Sequence, residues 1–194
     1  MLGANELMNS RLSGSEEALA TLACAKLPLH RAPSVLIGGL GMGFTLRAAL
    51  AVLRPDAQVT VAELVPAVVA WAIGPMAALH GDSINDSRTN IVLKDVAACI
   101  RTAKSDYDAI LLDVDNGPDG LTTAANDSLY NDEGIAAAKA ALRSGGVLAV
   151  WSAGRDAKFA SRLQRAGFNV EEVSVRANKA KSGSRHIIWL GVKS

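Results

Sequence analysis

Short, continuous apolar runs alternate along this chain with longer segments whose apolar positions recur at helical spacing. "SVLIGG" (Ser34 to Gly39), "QVTVAEL" (Gln58 to Leu64), "TNIVLKD", "DYDAILLD" and "GVLAVWS" have the length and apolar density of buried strands. Between them, "TLRAALAVL", "PAVVAWAIGPMAAL", "VAACIRTA", "NDEGIAAAKAALRSGG" and "DAKFASRLQRAG" read as helices. Pro66 takes a tolerated first-turn position, and a glycine is expected to close the "NDEG" helix. Strands without polar alternation are covered on both faces, which predicts a parallel sheet with helices on either side. The C-terminal part breaks this rhythm. "FNVEEVSVRA" and "SRHIIWLGV" are consecutive strands joined by polar "NKAKSGS", a hairpin rather than a crossover.

That hairpin distinguishes two kinds of nucleotide-binding sheet. Dehydrogenase sheets are wholly parallel, whereas methyltransferase-like sheets end in an antiparallel strand. The predicted fold is therefore α/β and Rossmann-like, of the class I methyltransferase type. Its sheet is seven-stranded and mostly parallel, with an antiparallel C-terminal strand and helices on both faces. Ahead of Ser34, Ser13-Gly14-Ser15-Glu16 has capping-box spacing and opens "EEALATLACAKL", a helix of about three turns. With no repeat, low-complexity tract or linker, residues 1–194 are expected to form one domain with 1–33 as a helical lead-in.

Composition narrows the picture only modestly. A hydrophobic content of 49% with 20% charged residues belongs to a folded globular chain. A formal charge of +1 gives no reason to expect nucleic acid. Arg176, Lys179, Lys181, Arg185 and His186 make a basic hairpin without interleaved aromatics, and read as a solvated turn. Cys24 and Cys99 are isolated, so buried thiols are expected rather than a disulfide or a metal site. No apolar run approaches the ~20 residues of a membrane span, and the N-terminal residues show no basic-then-apolar pattern of a signal peptide. A soluble, cytoplasmic protein is the expectation.

The chemistry gathers where strands end. Gly39, Gly41 and Gly43 in "IGGLGMGFTLRAAL" lie between a strand and a helix, where a tight turn and a ligand's approach favour residues without Cβ. The helix behind them directs unpaired N–H groups at the same place. Glu63 ends the next strand twenty positions after Gly43, placed to accept from both hydroxyls of a ribose. Asp95 ends the third strand and Val96 begins a helix; the acid is either an N-cap or an adenine contact. Asp113 ends "YDAILLD", facing the same cleft, and Asp115, Asn116 and Asp119 follow it among turn-forming Asn-Gly, Pro-Asp and Asp-Gly pairs. Trp151, after the fifth strand, is either core or a wall of the acceptor pocket.

Together these residues resemble the spermidine synthase (polyamine aminopropyltransferase) family, from about Ser34 to Trp151. The likeness rests on the glycine loop followed by "TLR", on "VTVAELVPAVV", "DSRTNIVLKDV", "YDAILLDVDNGP" and "LYNDEGIAAAKAALRSGGVLAV". It implies S-adenosylmethionine or its decarboxylated form as co-substrate and no metal. Gly38, Gly39, Gly41, Gly43, Glu63, Leu64, Asp95, Val96 and Asp113 would hold that co-substrate. Glu63 would bind the ribose, Asp95 and Val96 the adenine, and Asp113 would be the catalytic acid. Asp115, Asn116 and Trp151 would bind a small-molecule acceptor, a polyamine by family. The resemblance also allows a homodimer, and gives no role to nucleic acid or membrane.

Three departures are visible. "GGLGMG" lacks the Asp with which the family's loop holds an aminopropyl amine. The family's Asp-x-x-Asp-Pro reads here Asp113-Val114-Asp115-Asn116-Gly117-Pro118. The 33 residues before Ser34 leave no room for the family's N-terminal β-hairpin domain. Aminopropyl transfer is accordingly the leading reading. Methyl transfer to a small molecule, or a non-catalytic nucleoside-binding protein of the same fold, are the alternatives.

Overall fold

The structure is a computed structural model and describes residues 13–28, 31–114, 117, 128–177 and 184–194. Seven strands form one sheet in the order β3-β2-β1-β4-β5-β7-β6. They are β1 (Ser34–Gly38), β2 (Gln58–Glu63), β3 (Thr89–Leu93), β4 (Tyr107–Leu112), β5 (Leu142–Ser152), β6 (Phe168–Arg176) and β7 (Arg185–Lys193). The β1–β2, β2–β3, β1–β4 and β4–β5 pairs are parallel, and β7 runs antiparallel to both β5 and β6. This is the expected class I arrangement, with the hairpin where the polar linker placed it. The linker, with Lys179 and Lys181, lies outside the described residues.

Period-two strands send alternate side chains to two faces, and each face has its own core. Leu36, Ile110, Leu112, Leu148, Val150 and Trp189 bury one face beneath α5 (Val96–Thr102), α6 (Asp132–Ala141) and α7 (Ala157–Arg165). Val35, Ile37, Leu111, Ala149, Ile188 and Leu190 bury the other beneath α1 (Gly14–Cys24), α2 (Phe44–Val52) and α3 (Pro66–Ile73). Apolar residues on both faces leave no room for charge except where it is paired. Asp108, fully buried in β4, accepts from the Arg31 guanidinium, from Arg143 Nη1 at 2.6 Å and from Ser34 N–H at 2.9 Å. Removing one partner of such a buried charge typically costs about 3–5 kcal/mol. The network pins β1, β4 and β5 together at the end of the sheet opposite the glycine loop.

Three local expectations are corrected. The "NDEG" helix is not closed by glycine. It stops at Ala141, and buried Leu142 is already extended and pairs with Tyr107. Gly145 and Gly146 fall instead within the irregular start of β5, where the register shifts between Tyr107 and Ala109. The helix from Pro66 is interrupted at Gly74-Pro75, and α4 (Ala77–His80) is a separate turn. Pro75 cannot donate to the preceding turn, so the ladder breaks there. Finally, the Ser13 side chain caps nothing, and Glu16 is turned to another use.

Candidate functional site

The parallel strands bring their carboxyl ends to one rim in spatial order. Registered pairs set Gly38 beside Ala62 and Leu112, and Glu63 beside Leu93. With neighbouring strands ~4.8 Å apart, the rim from β3 to β4 spans roughly 14 Å, about the length of a nucleoside carrying a short chain.

The glycine loop is held tightly from below. Gly39 N–H donates to Ala62 O at 2.9 Å, and Leu40 N–H to Glu63 Oε2 at 2.9 Å. Gly39 and Gly43 have φ of +88° and +76°, in the left-handed region. A Cβ on Gly39 would sit 2.9 Å from the Asp113 carbonyl, and one on Gly43 only 2.3 Å from His80 Nδ1. Gly41, at φ +48°, faces open space. Leu40 and Phe44 are buried, so the loop anchors apolar side chains in the core and shows the rim its main chain.

Glu63 is 7% exposed, with Oε1 accepting from Val65 N–H at 2.8 Å and Oε2 from Leu40. Two backbone donors fix the carboxylate's orientation, and each oxygen keeps a lone pair for a ligand hydroxyl. Leu64 beside it is among the most exposed apolar residues, at 68%. Asp95 is the N-cap of α5: Oδ1 accepts from Ala97 N–H at 2.9 Å, and Oδ2 lies 3.8 Å from Arg101. Its side chain remains 45% exposed, so capping and ligand contact are compatible. Val96 is buried, and Gly38 packs against it with 3.0 Å between a notional Cβ and Val96 Cγ2. Those two residues serve the helix–sheet contact beneath the cleft.

Asp113 continues β4 beyond Leu112, its N–H 3.3 Å from Gly38 O. Its Oδ2 accepts from Thr45 Oγ1 at 2.6 Å, tying the acid to the first turn of α2. Burial raises its pKa, and the Thr45 hydroxyl partly offsets that. Asp115, Asn116 and Asp119 lie outside the described residues. Trp151 is half-buried among the α1-side core and packs edge-on to His186, with ring centroids 4.7 Å apart. His186 Nδ1 is 2.8 Å from Ser15 Oγ, so the aromatic pair leads directly to α1.

Sequence reasoning missed Glu16. It assigned this residue to a capping box, but the structure brings it to Asp113. Glu16 Oε2 is completely buried and has no hydrogen-bond partner. Its carboxyl is pushed up to about 8, first by burial and then by the charges of Asp113 and Glu17. Thr45 Oγ1 also lies 3.4 Å from the Glu16 carbonyl, so one hydroxyl touches both segments. Among the described residues, no cluster of His, Cys, Asp and Glu could hold a metal, and no helix is long and apolar enough to cross a membrane.

Comparison with known proteins adds an independent line. A family model described as "Spermine/spermidine synthase domain" matches residues 14–158, well over half of the chain. A polyamine aminopropyltransferase of Sulfolobus acidocaldarius is 31% identical over 107 residues, covering 55% of this chain and 34% of its own length. Spermidine synthase from Thermotoga maritima superposes with a TM-score of 0.75 at 21% identity, covering 95% of this chain and 60% of that one. A spermidine synthase in complex with a transition-state analogue gives the same TM-score, with 96% and 62% covered. A precorrin-6y C5,15-methyltransferase from Geobacter metallireducens gives 0.62 at 19% identity, covering 90% of this chain and 87% of its own. The chain thus spans about a third of the curated relative and three-fifths of the spermidine synthases.

Proposed function

This chain belongs to the spermine/spermidine synthase domain family, and from that premise we propose that it is a transferase taking its group from a sulfonium nucleoside. Decarboxylated S-adenosylmethionine is the donor, and an aminopropyl group passes to an amine. The observation that carries the reading is the continuous rim of Gly39, Glu63, Asp95 and Asp113 along four adjacent strand ends. The residues fit the nucleoside. Glu63 is buried, oriented by two N–H donors and able to accept from two ribose hydroxyls. Gly41 leaves open space above the loop. Asp95 and the first turn of α5 flank the adenine end, with exposed Leu64 and Leu93 as apolar walls.

When bound, the sulfonium supplies an electrophilic carbon and a neutral thioether leaving group. Everything else falls to the protein. An amine attacks only when unprotonated, so a group at the reacting centre must orient it and accept its proton. Asp113 stands at the junction of loop, α2 and β4, and its raised pKa makes it a stronger base when ionised. A second reading, methyl transfer, is favoured by one observation: the glycine loop has no acidic side chain to hold an aminopropyl amine.

Calorimetry with S-adenosylmethionine, its decarboxylated form, methylthioadenosine and S-adenosylhomocysteine tests the reading. The decarboxylated form is expected to bind tightest. Glu63→Ala should weaken all four by roughly 10–100-fold, through loss of hydrogen bonds to a charged acceptor. Tighter binding of S-adenosylmethionine would favour methyl transfer. No binding of any of the four to folded protein would end the assignment.

A further inference from the structure

We propose that Glu16 is a second acid of the reacting centre, its buried Oε2 receiving an ammonium group of the acceptor beside Asp113. The inference rests on the transferase reading above and adds to it the acceptor's charge and the residue that reads it.

Four observations converge. Glu16 has the spacing of a capping-box residue, yet the box is not made and Ser13 caps nothing. Its Oε2 is instead fully buried without a partner, an arrangement that costs free energy unless a ligand satisfies it. The carboxyl lies within electrostatic reach of Asp113, the acid at the end of β4. Thr45 contacts both segments, donating to Asp113 Oδ2 at 2.6 Å and lying 3.4 Å from Glu16 O.

The charges acting on Glu16 are both negative: Asp113 from the end of β4 and Glu17 from its own helix. His186 on β7, which bonds neighbouring Ser15, has its pKa lowered by burial and stays neutral near pH 7. Two partly buried carboxyls within electrostatic reach of each other cannot both ionise cheaply, so without ligand the pair keeps one proton. An acceptor's ammonium supplies what is missing, namely N–H donors and a positive charge. As it binds, that shared proton leaves to solvent and both carboxylates ionise. A neutral hydroxyl acceptor supplies no charge and leaves the proton in place. The pair therefore selects amines, and α1 provides an acid that the glycine loop lacks.

The probe is putrescine, titrated calorimetrically into the full chain saturated with methylthioadenosine, in buffers of different ionisation enthalpy, with 1,4-butanediol as neutral control. At pH 7 the wild type should bind putrescine with release of close to one proton, and butanediol at least 10-fold more weakly. Glu16→Gln should weaken putrescine at least 10-fold and abolish proton release while keeping methylthioadenosine affinity within 2-fold. Glu16→Asp should restore part of both, which a purely structural role would not require. Equal putrescine affinity and equal proton release in wild type and Glu16→Gln would overturn the inference, as would wild type that binds methylthioadenosine but not putrescine. Failure of methylthioadenosine itself to bind would overturn the transferase reading, and this inference with it.

Discussion

Replacing Glu16 by Gln should make the protein more stable at neutral and alkaline pH, an unusual outcome for a buried polar substitution. Burial, Asp113 and Glu17 raise the Glu16 carboxyl from 4.5 to about 8. The folded state therefore holds a proton there that the unfolded chain releases above pH 4.5. Stability from the protonated carboxyl is fully present below pH 4.5 and is lost as pH rises through about 8. At 1.36 kcal/mol per decade the interval is worth about 5 kcal/mol. Because the side chain is partly in water, solvent screening reduces this to about 2–3 kcal/mol. Gln keeps the shape and hydrogen-bonding capacity of the protonated acid but has no proton to lose. Urea unfolding of wild type and Glu16→Gln at half-unit steps from pH 4.5 to 9 is the assay. Groups common to both proteins cancel in the difference. The curves should meet near pH 4.5 and separate by about 2–3 kcal/mol at pH 8.5, a Tm difference of roughly 4–12 °C at this chain length. Parallel curves across the range would refute the placement of Glu16 beside Asp113. In the double variant with Asp113→Asn the gap should shrink, because much of the repulsion acting on Glu16 is gone.

Two further outcomes follow from the site. Asp113→Asn keeps the Thr45 contact and should leave nucleoside affinity within about 3-fold while lowering turnover roughly 10²–10⁴-fold, the range of a lost general base; unchanged single-turnover rates would remove Asp113 from the chemistry. Gly43→Ala sets a methyl group 2.3 Å from His80 Nδ1 at φ +76°, and should cost at least 1–3 kcal/mol in chemical denaturation. Wild-type stability in that variant would mean that the loop has another conformation.

The sheet was legible because buried parallel strands leave an unmistakable trace. "AILL" and "SVLI" carry no polar alternation, so helices had to cover both faces, and the polar linker before "SRHIIWL" required a hairpin. Local signals failed where tertiary contacts overrode them. A glycine pair looked like a helix stop, but Leu142 had a buried place beside Tyr107 and the chain extended three residues earlier. The same contest explains Glu16. S-x-x-E is among the better short-range signals for a helix start, and nothing within the motif announces that the acid points elsewhere. Its destination depends on Asp113, 97 positions away, and on how α1 lies across α2 and the sheet. Asp95 shows the opposite case: a strand-end acid can cap its helix and still keep half its surface for a ligand.

The distribution of acids also bears on which sulfonium nucleoside the cleft prefers. S-adenosylmethionine carries a carboxylate that its decarboxylated form lacks, so the two differ by one negative charge near the glycine loop. Leu40 and Phe44 are buried and Met42 is apolar, so that loop offers the carboxylate only backbone N–H groups. The negative charge around it, on Glu63 and on the Asp113–Glu16 pair that shares one proton, repels a carboxylate. One unit charge at about 8 Å in an effective dielectric of 20 feels about 2 kcal/mol, which corresponds to roughly 30-fold in affinity. Even without an Asp in the loop, the decarboxylated form should therefore bind roughly 10–30-fold tighter than S-adenosylmethionine in 20 mM salt. Because these acids are shielded from bulk solvent, the ratio should fall only slightly by 500 mM salt. Equal affinities at low salt would show that backbone donors of the loop outweigh the acids and would move the chain toward methyl transfer.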